Sequence, residues 1–259
     1  MERKRQVRHY QQIASKLLKT RVLEKTESLR PFLPETRWYS LDALKQMLKR
    51  YSTVYVKPDK GGGGGGILRV RKRENDKYEV RFRTHIKTTT WSQLDAQLRS
   101  CFLAGKRYLI QQGIELATID DRPFDFRLLL QRPNQDWELT GIVAKAAAPG
   151  RIVTNHCKGG KPVDATKALL VAADGDPETL ERWVKVLIWL GMGTANALHD
   201  KFTGLRELGI DVGLDRNGRF WIFEVNTRPQ FRMFRKIGHR SMYRKIMQFH
   251  RKIVKGNRW

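Results

Sequence analysis

The chain has 259 residues, 40% of them hydrophobic and 30% charged, with a formal net charge of +25. That length and composition describe a globular protein with one large domain or two lobes, and exclude a disordered or fibrous chain. The longest apolar run, near 183–198, is broken by Lys185 and too short to span a bilayer, which excludes a membrane span.

The charge is unevenly placed. Residues 1–30 hold nine Lys/Arg and three acids, and residues 231–259 hold ten and none. An anionic partner reached through the basic ends is the resulting expectation, with a solvated basic helix as the plain alternative. Cys101 and Cys157 cannot form a disulfide framework and have no second sulfur at metal-ligand spacing. Both read as structural, in a reducing, cytoplasmic compartment. The charged N-terminus carries no secretory signal.

In chain order, residues 1–30 read as a basic helix, with Ile13, Leu17, Leu18 and Val22 at helical spacing, broken by Arg30-Pro31. Ser40 caps a second helix carrying Leu41, Leu44, Met47 and Leu48. The strand 53–57 ends in Lys57 and leads through Pro58 into six glycines, Gly61–Gly66, and a second strand at 67–71. Glycines let backbone N–H groups approach an anion without a Cβ in the way, and Lys57 sets a positive charge beside them. No Gly-Lys-Ser/Thr follows, so the loop is not a Walker A motif.

Further strands are expected over 79–85, over 108–114 (Tyr108 to Ile114), over 123–130 with Asp125 and Arg127 on one face, and over 137–148 as its antiparallel neighbour. Helices are expected over 91–103, 165–172 and 178–199. The loop with Asn155, His156 and Gly159-Gly160 has turn chemistry, and His156 reads as structural. A final basic helix carries an apolar stripe of Met242, Ile246, Phe249 and Ile253 that docks the tail.

Residues 209–230 are the most informative stretch. Asn217-Gly218 suits a two-residue type I′ turn, which pairs residues whose numbers sum to 435. Asp211 then faces Glu224 with Asn226 on the same side, while Ile210/Val225, Val212/Phe223 and Leu214/Trp221 make an apolar face. Facing carboxylates repel unless a cation or proton intervenes, so the pair suggests hard-cation binding, against the plain alternative of a solvated hairpin.

The ordered set of Lys57 with its glycine loop, Gln111-Gln112-Gly113-Ile114, Asp125-x-Arg127, Lys145, Asn155-x-x-x-Gly159-Gly160, Asp211 and Glu224-x-Asn226 resembles the ATP-grasp superfamily. It is similar to ligases of the ribosomal-protein glutamate ligase type, and most of all to the YheC/YheD endospore coat-associated branch. The resemblance covers about residues 16–230. It implies an α+β fold, two α/β lobes with the nucleotide between them, plus basic terminal helices. The divisions are 1–30 (basic helix), 31–110 (small lobe with the glycine-rich lid), 111–231 (large lobe with the metal site) and 232–259 (basic helix).

The resemblance further implies that Lys57 contacts the ATP phosphates under the lid of Gly61, Gly62, Gly63, Gly64, Gly65 and Gly66. Gln112, Gly113 and Ile114 would form the adenine hinge, with Glu115 at the ribose and Asp125 and Asn155 in the nucleotide site. Arg127 and Lys145 would offset phosphate charge, and Arg228 would bind a substrate carboxylate. Asp211, Glu224 and Asn226 would hold two Mg2+ ions, with Mn2+ as a substitute. Lys16 or Lys19 would supply a further ATP contact.

Two departures stand out. A short basic helix occupies the place of the separate N-terminal α/β domain of such ligases, and Lys145 stands where Arg is usual. The implied activity is ATP-dependent, ADP-forming carboxylate–amine ligation in a spore-coat setting, on unknown carboxylate and amine substrates that include coat proteins or peptides. The alternatives are a nucleotide-binding coat protein without ligase chemistry and a nucleic-acid-binding protein acting through its basic termini.

Overall fold

Two antiparallel sheets, each with its own apolar core, organise the chain. The computed structural model describes residues 10–148 and 160–256. Its first elements are α1 (Lys16–Glu24), a 3-10 turn at Arg30–Phe32, β1 (Thr36–Trp38), α2 (Leu41–Arg50), β2 (Thr53–Pro58), β3 (Leu68–Lys72), β4 (Lys77–Phe82), β5 (His85–Thr90), α3 (Trp91–Arg99) and β6 (Tyr108–Gln112). The strands order as β1-β6-β2-β3-β4-β5. Val54, Val56, Leu68, Val70 and Ile110 point from one face into a core closed by Leu44, Met47, Leu94 and Leu98 of α2 and α3. The period of two leaves Tyr55, Lys57, Arg69 and Gln111 on the other face, toward the second sheet. Ser40 caps α2 as expected, its hydroxyl accepting from the Ala43 N–H.

The second sheet contains β7 (Thr118–Ile119), β8 (Arg122–Gln131), β9 (Glu138–Ala146), β10 (Lys161–Val163), β11 (Glu207–Leu214) and β12 (Phe220–Asn226), ordered β10-β9-β8-β11-β12 with β7 paired to β8. The helices α4 (Ala165–Ala172) and α5 (Pro177–Lys201) lie against one face, where Phe126, Leu128, Ile210 and Val212 pack. The other face carries the charged residues in its upper half. Its lower half is covered by α6 (Arg232–Lys236) and α7 (Arg240–Gly256), through Phe234, Met233 and Ile246 on Leu129 and Val143. Among the described residues no helix is long and apolar enough to cross a membrane.

Three expectations need correction. Of the helix expected over 1–30, only 16–24 is α-helical among the described residues; 10–15 are not helical and 25–29 are turns. The Ser15 hydroxyl accepts from the Leu18 N–H and starts α1 there, while residues 11–13 run as a strap. The Gln11 N–H donates to the Gly204 carbonyl and the Ile13 N–H to Thr227 Oγ1. The expected strand over 79–85 is two strands, β4 and β5, because Arg83 takes φ 57° and turns the chain.

The turn at 217–218 is not type I′. Asp215 Oδ1 accepts from the Asn217 and Arg219 N–H groups, and only Gly218 has positive φ. The carboxylate thus selects a longer turn by local capping. Pairs near it sum to 434, as in Val212–Ile222 and Leu214–Phe220, and a bulge between Asp211 and Val212 restores 435 at Asp211–Glu224. Ile222 and Phe220, rather than Phe223 and Trp221, therefore fill the apolar face. The two-residue turn with both φ positive occurs instead at Asp120-Asp121, between β7 and β8.

Candidate active site

The bulge in β12 puts Phe223 and Glu224 side by side on the charged face of the second sheet. Gly213 makes room, since a Cβ there would lie 2.4 Å from the Phe223 ring. Asp211 lies opposite Glu224, and Asn226 Nδ2 is 3.3 Å from Asp211 Oδ2. The register expected for these three residues is the observed one.

Asp211 is surrounded by cations. Arg127 Nε and Nη2 donate to its two oxygens at 2.8 and 2.9 Å, and Lys145 Nζ donates to Oδ1 at 2.6 Å. The same Lys145 lies 3.0 Å from Asp125 Oδ1. Strand pairing brings this about: Arg127 is the β8 partner of Asp211, and Asp125 is the β8 partner of Lys145. Burial alone would raise the Asp211 pKa, but Arg127 and Lys145 outweigh it and hold it at about 2. The repulsion expected between Asp211 and Glu224 is thus relieved by neighbouring side chains.

Glu224 is more open, with Lys16 Nζ 3.6 Å away. Lys16 also donates to the Gly61 carbonyl at 2.8 Å, so of the two N-terminal lysines it is the one tied to the glycine loop. Lys19 is buried, donates to the Ile13 carbonyl at 2.7 Å, and is pushed down to about pKa 8 by that burial. Asp59 anchors the root of the loop: its Oδ1 accepts from Ser15 Oγ and from the Leu17 N–H, both at 2.9 Å.

Lys57 crosses from the first sheet. Its Nζ donates to Gln111 Oε1 at 2.7 Å and approaches the Phe223 carbonyl at 3.5 Å. Among the described residues no carboxylate lies within ion-pair distance of it. Burial lowers its pKa to about 8. Gln111, rather than Gln112, is the glutamine on this face, and the signal for it is the period of two that sets it with Leu109 and opposite Tyr55. Gln112 turns its side-chain oxygen to the Glu35 N–H instead.

The hinge between the sheets is tight at Gly113, whose N–H donates to the Thr53 carbonyl at 2.9 Å and is therefore engaged within the protein. A Cβ at Gly113 would lie 2.7 Å from that carbonyl oxygen. Gly113, Ile114 and Glu115 line a cavity of ≈ 280 Å³ together with Tyr55, Arg71 and Leu116. That approaches the size of a small-ligand pocket. A separate small cavity of ≈ 10 Å³ lies among Lys16, Lys57, Gln111 and Glu224. Within the loop, a Cβ at Gly61, Gly62, Gly63 or Gly65 would meet nothing. Arg228 is exposed beyond β12, and Asn155, His156 and Cys157 lie outside the described residues.

Asp211, Glu224 and Asn226 offer oxygen donors only, the chemistry of a hard cation such as Mg2+. No three His, Cys, Asp or Glu side chains cluster among the described residues, so the set is two carboxylates and an amide. Glu224 is the more accessible of the two carboxylates and the one that could hold such an ion, since both Asp211 oxygens are engaged by Arg127 and Lys145.

The YheC/D-like ATP-grasp family pattern matches residues 9–252. Endospore coat-associated protein YheD of Bacillus subtilis (strain 168) is 30% identical over 218 residues, covering 80% of this chain and 46% of YheD. Endospore coat-associated protein YheC of the same organism is 22% identical over 226 residues, covering 80% and 57%. The chain thus spans about half the length of the curated relatives it matches. Among solved structures, the D-alanine-D-alanine ligase from Coxiella burnetii superposes with a TM-score of 0.57 over 94% of this chain and 58% of that one, at 13% identity.

Proposed function

Since the chain belongs to the YheC/D-like ATP-grasp family, we propose that it binds Mg·ATP between its two sheets and is an ADP-forming carboxylate–amine ligase. The observation that carries this reading is Lys57. It is a buried cation held by an amide and a carbonyl oxygen rather than a carboxylate, at the foot of a glycine loop. Burying a charge without a counter-ion is costly, and a phosphate arriving from solution would supply the missing anion.

In the proposed reaction a substrate carboxylate oxygen attacks the γ-phosphorus of ATP and the bond to the bridging oxygen breaks, releasing ADP. An amine nitrogen then attacks the acyl carbon of the acyl phosphate, phosphate leaves, and the nitrogen loses a proton to give the amide. The first step brings anion to anion, so it calls for positive charge more than for a general base. Lys57, Lys16 and Arg127 supply that charge, and the loop amides of Gly61–Gly66 orient the phosphates. Mg2+, held by Glu224, Asp211 and Asn226, would neutralise phosphate oxygens. Gly113, Ile114 and Glu115 line the adenosine end of the cleft, and Asp125 fixes Lys145. Arg228 would meet the substrate carboxylate, and Asn155 would complete the nucleotide site. The setting proposed, after the named relatives, is the spore coat.

The test is Mg·ATP binding by calorimetry, then ADP release against a panel of carboxylates and amines, with mass spectrometry of the product. ATP binding with no carboxylate-dependent ADP release would favour the alternative, a nucleotide-binding coat component. That alternative draws on one observation: both Asp211 oxygens are already paired to Arg127 and Lys145.

A further inference from the structure

The helix α7 has an apolar side and a cationic side with nothing acidic between them. Ile246, His250, Ile253 and Val254 are buried, while Arg240, Arg244, Lys245, Arg251, Lys252 and Lys255 are exposed. At 100° per residue, those six cations fall within an arc of about 140°, and Arg240, Arg244, Arg251 and Lys255 recur at steps of four, seven and four along one line. Among the described residues only Lys245 has a carboxylate partner, Glu138 at 3.1 Å. The helix itself carries no Asp or Glu, so no i±3 or i±4 acid on α7 pairs with these cations.

The position of the rail gives it meaning. The chain leaves β12 at Asn226, and Pro229 crosses beside Arg127, both lying 2.9 Å from where a Gly209 Cβ would stand. It then forms α6, whose Arg232, Arg235 and Lys236 are exposed, and packs with α7 on the lower half of the charged sheet face. The exposed cations therefore run from the edge of the candidate active site to the end of α7. Two acids from other elements meet them, Asp164 at His239 between the helices and Glu138 at Lys245, while Arg244, Arg251 and Lys255 have no acid within ion-pair distance among the described residues.

We propose that α6 and α7 form a docking track for an acidic polypeptide whose own side-chain carboxylates are delivered to the site beside Glu224. This rests on the ligase reading above and narrows its unknown carboxylate to a class. A flexible acidic chain, with carboxylates at variable intervals, suits isolated cations spaced a helical turn apart. It also needs no groove or aromatic stacking platform, which single-stranded nucleic acid uses.

The experiment uses the whole chain and labelled poly-L-glutamate of about 20 residues, followed by anisotropy at two salt concentrations, beside single-stranded DNA of equal charge. The variant carries Arg244→Glu, Arg251→Glu and Lys255→Glu, all outside the candidate site. Mg·ATP binding to the variant serves as the control for folding. The expected result is polyglutamate binding that weakens on the order of tenfold or more in the variant, steeply salt-dependent in the wild type, with ATP affinity unchanged. Unaltered polyglutamate binding in the variant would overturn the track, as would tighter binding of DNA than of polyglutamate. Failure of the wild type to bind Mg·ATP would instead overturn the ligase reading and leave the polyglutamate result standing.

Discussion

Asp211 and Glu224 stand in register across β11 and β12, but their charges are handled differently. Arg127 and Lys145 enclose Asp211, while Glu224 has Lys16 at 3.6 Å and a more exposed carboxylate. The two acids are thus unequal. Asp211 organises the cations of the sheet, and Glu224 is the group left to meet a ligand.

Glu224→Gln keeps the shape and removes the charge. We expect a folded protein with the wild-type melting profile and ADP release reduced by about 3–4 kcal/mol of transition-state stabilisation, the scale of losing one preorganised electrostatic contact. Wild-type ADP release from the variant would remove Glu224 from the metal set.

Lys145→Met leaves two buried carboxylates, Asp125 and Asp211, short of a cation. The expected loss is about 3–5 kcal/mol of folding stability in urea unfolding, as for other broken buried ion pairs. The pH response should change too. The folded-state pKa of Asp211, about 2, is below the ordinary 3.8. Its stabilisation is therefore complete above about pH 4 and lost as pH falls toward 2. In Lys145→Met that acid transition should begin at higher pH. A variant with wild-type stability and acid midpoint would contradict the assignment.

Lys57 and Lys19 act with the opposite sign. Burial holds both near pKa 8 in the fold against 10.5 when unfolded, so the unfolded chain binds more protons between those values. Their contribution should make stability rise as pH climbs from 8 toward 10.5. The double variant Lys19→Met, Lys57→Met should flatten that slope in denaturant titrations across the range. An unchanged slope would mean the lysines are better solvated than their burial indicates.

Gly113→Ala tests the hinge. The added methyl would sit 2.7 Å from the Thr53 carbonyl oxygen, a backbone atom that can yield only if the β2–β6 pairing opens. A stability loss of about 1–3 kcal/mol is expected, with weaker nucleotide binding because the 280 Å³ cavity changes shape. Calorimetry with Mg·ATP checks the second part, and unaltered affinity would separate the hinge from the ligand site.

Much of this arrangement was legible in local sequence. The pairing of Asp211 with Glu224 was expected from a type I′ turn that does not form, and it holds because the β12 bulge offsets the longer turn, whereas the alignment of Asp125 with Arg127 follows from the period of two in β8. The caps at Ser40 and Ser15 have short-range donors, but only the first was read, because Ser15 sits inside a stretch whose apolar spacing also suits a longer helix. The turn type failed for a local reason that outweighed Asn-Gly propensity, the Asp215 carboxylate claiming two amides. What could not be read are contacts between distant residues. Lys145 between Asp125 and Asp211 is visible only once three strands lie side by side, and Gln111 differs from Gln112 only by the face it takes.

The same limit hides Glu207, which is fully buried on β11. Tyr10 of the strap donates its hydroxyl to Glu207 Oε2, while Gln131 Nε2 and His250 Nδ1 of α7 meet Oε1 at 2.8 and 2.9 Å. One carboxylate is therefore the shared anchor of two segments separated by most of the chain. Neither can peel away without breaking a buried hydrogen bond to this shared group, so the strap and α7 should open as a single cooperative unit rather than fray separately. In native-state hydrogen exchange, the amides of Ile13 and of the inner face of α7 should share one opening free energy, and Tyr10→Phe should lower it for both.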